Sequence, residues 1–315
     1  MVHLPVNVLE GDGPELAEHY KAGSYYPVFV VTDSLGRVIN RWVGYTGAER
    51  FVNDFNRALS SLVTVEEREA RLKTAPSLAD ARFLATYYYD TKDYLKSAAT
   101  YRLLSGLPDN KIDYSFRAFE AMLEASWSGL IPFDSVLPAA DAVMATVDKN
   151  PLNVARTAQL LARLARKTGN VERIEKYLNA GMTATGYRND EQGKKLHRDL
   201  LADYALHIRH DTATALEIKY KDLGVGWEND PQRYFEYGEW CLERKIRLDE
   251  AESYVRKATE KATGDKFKAR HLRVLADIVY ARGRIDEAIA LQKQAVDLDP
   301  TNAWYQQRLA EMRRH

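Results

Sequence analysis

The chain has 315 residues, with 45 basic and 45 acidic side chains, so its formal net charge is zero. That length suggests about two domains with real cores, and the charge balance removes any overall field for nucleic acid or an acidic membrane surface. The single cysteine, Cys241, allows neither an internal disulfide nor a Cys-x-x-Cys pair. No apolar run approaches the ~18 residues of a membrane span, and residues 1–13 lack the basic and apolar regions of a signal peptide. The expected compartment is therefore the cytoplasm.

The first sixty residues mix strand and helix patterns. Val6, Asn7, Val8 and Leu9 form a strand-like run, followed by turn residues 10–14. Residues 15–20 read as a short helix with Pro14 at its start. Residues 26–31 are β-branched and aromatic and predict a buried strand. Asp33, Ser34, Leu35 and Gly36 make a hairpin turn, and residues 37–43 alternate Val38, Asn40 and Trp42 against Ile39, Arg41 and Val43. Gly44 and Gly47 break that strand. Over 48–62, Phe51, Phe55 and Leu59 recur at helical spacing.

Beyond Val63 the pattern is helical. Segments are expected at 77–90, 93–105, 111–128, 134–147, 151–168, 171–184, 190–209, 212–222, 231–244, 248–262, 267–282, 285–298 and 302–314. Breakers separate them, among them Gly129, Asn150 with Pro151, Gly169, Gly224, Gly264, Gly283 and Pro300. Short connections make consecutive helices antiparallel neighbours. The expected fold is mainly α: a solenoid of about six helical hairpins plus a capping helix, preceded by a small α/β module. The expected division is 1–62, a linker helix over 63–76, and a repeat domain over 77–315.

The clearest internal unit is 269–302. Its small residues Ala276, Ala288 and Ala295 let two helices approach, Gly283 turns between them, and Pro300 stops the second. With Leu272, Leu275 and Val279, this spacing resembles the tetratricopeptide repeat, a helix-turn-helix unit of ~34 residues. A second copy over 232–263 aligns through Ala251 and Ala258 but departs at Gly238 and Glu239. Weaker copies surround Ala162, Ala85 and Ala202. Thr301 onward reads as the cap.

The segment 6–59 resembles the second half of the thioredoxin fold, in which a strand, a short helix, a cis-proline, a hairpin and a final helix follow in that order. The resemblance places the cis-proline at Tyr26-Pro27 and matches Gly44 to the glycine after the last strand. The family's cysteine pair lies upstream of the matched region, so this chain is expected to run no dithiol–disulfide exchange. The strand missing from between residues 6–9 and 28–31 would leave open edges. A fragment of a longer protein is the expected explanation; a homodimer completing the sheet, or a small βαβ unit, are the others.

Other constellations point to surface or core. Cys241 lies beside Trp240 and Leu242 and reads as a buried, inert thiol. His207 and His210, with Asp203 and Asp211, read as a solvated helix end before a metal face. Gly224-Val225-Gly226 lacks the context of a phosphate loop. No catalytic set can be argued from spacing, and no cofactor or metal is expected.

The repeat resemblance implies a concave face built from first-helix residues. It would carry Arg82 and Tyr89; Arg156, Arg163 and Arg166; Arg233 and Trp240; and Arg270, Arg273 and Tyr280. Arginine and aromatic side chains are what interfaces favour. The expected function is a non-enzymatic scaffold whose groove binds a protein or peptide partner of acidic character. The alternative is the C-terminal part of a thiol–disulfide oxidoreductase or chaperone. A third possibility leaves the groove arginines paired with Asp and Glu of neighbouring repeats.

Overall fold

The computed structural model describes residues 4–8, 10–22 and 27–314. The chain divides into two compact units, Met1–Asn153 and Val154–His315.

The first unit opens with helix α1 (Gly13–His19), which has Pro14 in its first turn. Strands β1 (Val28–Thr32) and β2 (Val38–Val43) pair antiparallel, with Phe29 opposite Trp42 and a bulge at Val31/Thr32. The turn is held by Asp33, whose Oδ1 accepts from the backbone N–H groups of Leu35 and Arg37, each at 2.9 Å. Helix α2 (Ala48–Leu59) follows. Phe51 stands edge-on to Phe29 at 5.0 Å, and Phe29 stacks on Trp42 at 5.2 Å. Helix α3 (Val65–Thr74) starts at a capping box in which Thr64 and Glu67 satisfy each other's backbone N–H.

One expectation fails in this region. Val6, Asn7 and Val8 form no strand, and Leu9 lies outside the described residues. A strand needs a ladder partner, and the sheet among the described residues has only β1 and β2. The Asn7 carbonyl instead accepts from Glu10 N–H at 3.2 Å, which turns the chain. The Tyr26 half of the Tyr26-Pro27 position also lies outside the described residues. The Pro27 carbonyl accepts from Gly44 N–H at 2.8 Å and extends the hairpin.

Two helical hairpins complete the unit: α4 (Leu78–Asp90) with α5 (Tyr94–Gly106), and α6 (Ser115–Trp127) with α7 (Leu137–Met144). Ser77 caps α4 through Asp80 N–H. The helix expected from 111 starts only at Ser115, because Asn110 and Asp113 bond the backbone of Ile112 and Ser115 and hold that stretch in turns. Strand β2 packs on α3 and α4, where Val38 joins Val65, Leu84 and Tyr88.

The second unit holds α8 (Pro151–Thr168, beginning just before the boundary) with α9 (Glu175–Thr185), α10 (Glu191–His207) with α11 (Thr212–Leu223), α12 (Pro231–Arg244) with α13 (Leu248–Lys261), and α14 (Asp265–Ala281) with α15 (Ile285–Leu298). Helix α16 (Ala303–Met312) closes it. The core is continuous from Ala202 to Met312 and includes buried Cys241. Burial pushes the Cys241 thiol up to about 12, which keeps it protonated. Among the described residues, six hairpins and a terminal helix are thus present, as expected.

The six first helices end alike. The chain leaves each through a left-handed residue: Lys92, Gly129, Gly169, His210, Lys245 and Gly283. Just beyond, a backbone N–H reaches back to a helix carbonyl: Asp93 to Tyr88, Leu130 to Ala125, Asn170 to Ala165, Asp211 to Ala205, Ile246 to Cys241 and Arg284 to Val279. Three residues before each accepting carbonyl stand Ala85, Met122, Ala162, Ala202, Gly238 and Ala276. All six are buried, and at Gly238 the place lies against Val255 of the partner helix, in keeping with five of the six being alanine or glycine. Gly238 therefore fills the small-residue place. The apparent departure there comes from Arg247, a second left-handed residue that lengthens the turn before α13 by one.

Candidate functional site

The sequence-expected groove residues fall in both units, and each unit is described separately. In the second unit most of them are already engaged. Asp203 on α10 is fully buried and is gripped from two sides: Arg166 Nη1 at 3.0 Å from α8, and Arg244 Nη2 at 2.8 Å from α12. Burial alone would raise the Asp203 carboxyl, but Arg244 and Arg166 outweigh it and hold it below the usual range. Arg163 meets Glu243 at 3.3 Å, and Gln159 donates to Asp199 at 3.2 Å.

The pattern continues toward the C-terminus. Glu239 accepts from both Arg270 and Arg273, each at 3.1 Å. Asp277 takes Arg273 at 3.7 Å and Arg308 at 2.7 Å. Arg270 lies over the Phe235 ring, Arg273 over Trp304, and Arg308 over Tyr280. Arg233 pairs with Glu236 along its own helix at 3.1 Å. Arg156 is half-buried and has no ion pair among the described residues.

Trp240 needs correction as a surface residue. It is buried, with the Arg244 guanidinium 4.6 Å over its ring. The extra residue at Arg247 displaces the register by one, so Glu239 rather than Trp240 joins the ladder of charges. Sequence reasoning also missed Arg244, Trp304 and Arg308 as members. Arg308 and Trp304 were hidden in the capping helix, although they fall one repeat length beyond Val274 and Arg270.

The histidines do not share a face. His207 tucks against Asp203, its Nε2 4.0 Å away, while His210 is exposed at the left-handed exit of the helix. Burial pushes His207 down to about 4, with Arg166, Arg244 and His210 acting in the same direction against Asp203. The glycines of Gly224-Val225-Gly226 both take positive φ and lead into a short turn at Trp227.

The first unit is different. A cleft of about 410 Å³ opens across α4, α5 and α6. Arg82, Thr86 and Tyr89 line it from α4, Tyr101 from α5, and Arg117 and Glu120 from α6. Arg82 Nε donates to Tyr114 Oη at 2.9 Å and has no carboxylate partner among the described residues. Arg117 pairs with Glu120 at 2.8 Å. Tyr101 and Tyr114 stack at 5.8 Å, and Tyr94 stands edge-on to Tyr89 at 5.6 Å. Burial pushes the Tyr89 and Tyr101 phenols up, and the Tyr101 phenol hydrogen-bonds the Thr86 side chain. Asp90, at the cleft's end, is also raised by burial, against the pull of Arg41.

The second hairpin gave no repeat signal in the sequence, so Arg117 and Glu120 went unnoticed. Its small-residue place holds Met122, and only Gly129 marks the turn. Among the described residues no group of His, Cys, Asp and Glu side chains is placed to hold a metal ion, and no helix is long and apolar enough to cross a membrane.

No family model and no curated protein matches the chain. Among solved structures it is similar to a tetratricopeptide repeat protein from Parabacteroides merdae, with a TM-score of 0.51 and 12% identity, covering 85% of this chain and 96% of that one. At that identity the likeness concerns the fold: a mainly helical solenoid of tetratricopeptide-type hairpins, with a small two-stranded sheet near its N-terminus.

Proposed function

We propose that this chain is a non-enzymatic interaction scaffold and that the cleft on its first two hairpins seats a peptide segment of a protein partner. One observation carries this reading. Arg163, Arg166, Arg270 and Arg273 already face carboxylates of neighbouring helices, so an acidic partner could use them only by breaking an existing pair. Arg82 faces a tyrosine hydroxyl instead and borders an open concavity. The partner surface is then narrower than the full row of arginines, and a strongly acidic partner is not what it favours.

The test is site-specific crosslinking in extract of the native host. A photoreactive side chain at Thr86 should trap a partner, and Arg82→Glu should abolish the product. Arg163→Glu and Arg273→Glu should leave it intact. If those two reversals abolish it and Arg82→Glu does not, the seat is in the second unit.

A second reading is favoured by the order of α1, the β1–β2 hairpin and α2, with Gly44 at φ 86° after the last strand. It takes this segment as half of a thioredoxin-like module whose remaining strands come from upstream sequence or from a second copy. Sequencing the gene upstream of the Met1 codon for an in-frame Cys-x-x-Cys, and sedimentation of the chain itself, separate the two sources.

A further inference from the structure

Resting on that reading of the cleft, we infer that its ligand is a proline-rich, extended peptide carrying a carboxylate for Arg82. The cleft volume of about 410 Å³ falls in the ~300–1,000 Å³ range of ligand-binding pockets. What lines it decides among peptide classes.

An amphipathic helix needs an apolar groove for its buried stripe. None of the residues lining this cleft is aliphatic; three are tyrosines and four are charged. A polyacidic peptide needs an excess of cations. Here Arg82 and Arg117 stand against Asp90 and Glu120, and Arg117 is already paired with Glu120. That leaves one cation, Arg82, without a carboxylate.

A polyproline-II segment suits what remains. Proline has no N–H, so such a segment presents carbonyl acceptors only, with no internal hydrogen bonds to satisfy them. The cleft supplies donors: the Tyr89 phenol and the free arms of Arg82, the Tyr101 phenol being engaged by Thr86. Tyr101 and Tyr114 are buried and stacked on each other, so the partly exposed Tyr89 ring is the one that meets a pyrrolidine ring, the mode by which aromatic-lined grooves take preformed proline helices at low entropic cost. The charge balance then admits a single acidic residue, opposite Arg82.

The experiment is calorimetric titration of the full chain with three capped peptides of equal length and charge. One is a proline-rich peptide with a single central Glu, one replaces each proline by serine around the same Glu, and one is an Ala-rich helix former with that one Glu. The proline peptide should bind saturably, and the serine peptide about tenfold or more weaker. Arg82→Ala and Tyr89→Leu should each weaken the proline peptide about tenfold, with circular dichroism unchanged. Tyr89→Phe, which keeps the ring and removes the phenol donor, covers the case in which Tyr89→Leu fails to fold and should weaken the proline peptide about threefold or more; Arg163→Ala, an exposed change in the second unit, should alter binding by less than threefold or so. Equal binding of the serine peptide, still dependent on Arg82, overturns the proline inference and leaves the cleft as partner seat. Absence of any Arg82-dependent binding by all three peptides overturns both. Proline-peptide binding that ignores Arg82 and Tyr89 places the ligand elsewhere and overturns the inference.

Discussion

Gly238 on α12 lies directly against Val255 on α13: a Cβ at position 238 would overlap the Val255 Cγ2 methyl. The closeness comes from the helix pair itself, because Gly238 occupies the small-residue place of its hairpin. Gly238→Ala should therefore destabilise the fold although alanine is the better helix former. Overpacking costs about 1–3 kcal/mol and helix propensity returns about 1, so a net loss of up to about 2 kcal/mol is expected in urea denaturation. Adding Val255→Ala should recover part of it, giving a favourable coupling of about 0.5 kcal/mol or more. Additive effects would show that the two helices do not meet there.

The same residue shows how far the sequence could be read. Helix positions were legible because apolar periodicity and glycine or proline breaks are local signals, and the expected segments match the observed helices within a few residues. Repeat register was legible only where the hairpin turn has its usual length. At Ala276 it has; at Gly238 the additional left-handed Arg247 shifts the count by one. At Ala202 the closing bond spans one more residue, from Asp211 to Ala205, and at Met122 a large side chain fills the small place. The site was less legible. Arginines of a repeat face look alike in sequence whether a carboxylate from two helices away meets them, as at Arg166, or not, as at Arg82. The failed strand at Val6 shows the same limit: a β pattern describes a residue's suitability, while a strand needs a partner.

Arg41 is buried and joins the hairpin to two other segments: its Nη1 donates to the Asp90 carbonyl at 3.2 Å and its Nη2 to the Lys21 carbonyl at 3.0 Å. No sequence pattern marks it, since it sits in a strand where alternation calls for an apolar residue. Arg41→Met keeps the bulk but leaves both carbonyls without their donor. A loss of about 1–3 kcal/mol is expected. Amide exchange of β1 and β2 should accelerate more than that of α14 and α15. Uniform acceleration would show that the hairpin does not open on its own.

Asp203 poses the reverse case, one buried anion between two buried cations. Asp203→Asn leaves Arg166 and Arg244 with only the half-exposed Glu243, at 3.8 and 3.6 Å, as a counter-charge and should cost about 3–5 kcal/mol. Arg163→Ala removes only an exposed pair with Glu243 and should cost no more than about 1 kcal/mol. Replacing the buried group together (Asp203→Leu, Arg166→Met, Arg244→Met) should recover most of the loss, because the desolvation of three charges disappears with them. Chemical denaturation of the three variants checks the order. An Asp203→Asn protein as stable as the parent would mean the arginines reach solvent.

Acid should destabilise the second unit over two successive pH windows. His207 is held down at about 4, chiefly by burial, against an ordinary value of ~6.5. The folded state thus binds fewer protons than the unfolded chain between those values, and the stability this gives is present above pH ~6.5 and lost as pH falls toward 4. Glu252 is held at about 2: burial would raise it, but hydrogen bonds from Arg284, Arg256 and Arg282 outweigh that. Its contribution is present above the ordinary carboxylate value of ~4.3 and is lost as pH falls from there toward 2. Melting temperatures measured in steps from pH ~7.5 to ~3 should therefore decline in both windows. His207→Gln should flatten the upper decline and leave the lower one. Glu252→Gln should lower the melting temperature near neutrality and flatten the lower decline. If His207→Gln leaves the upper decline unchanged, another group titrates there and the burial of His207 is not its cause.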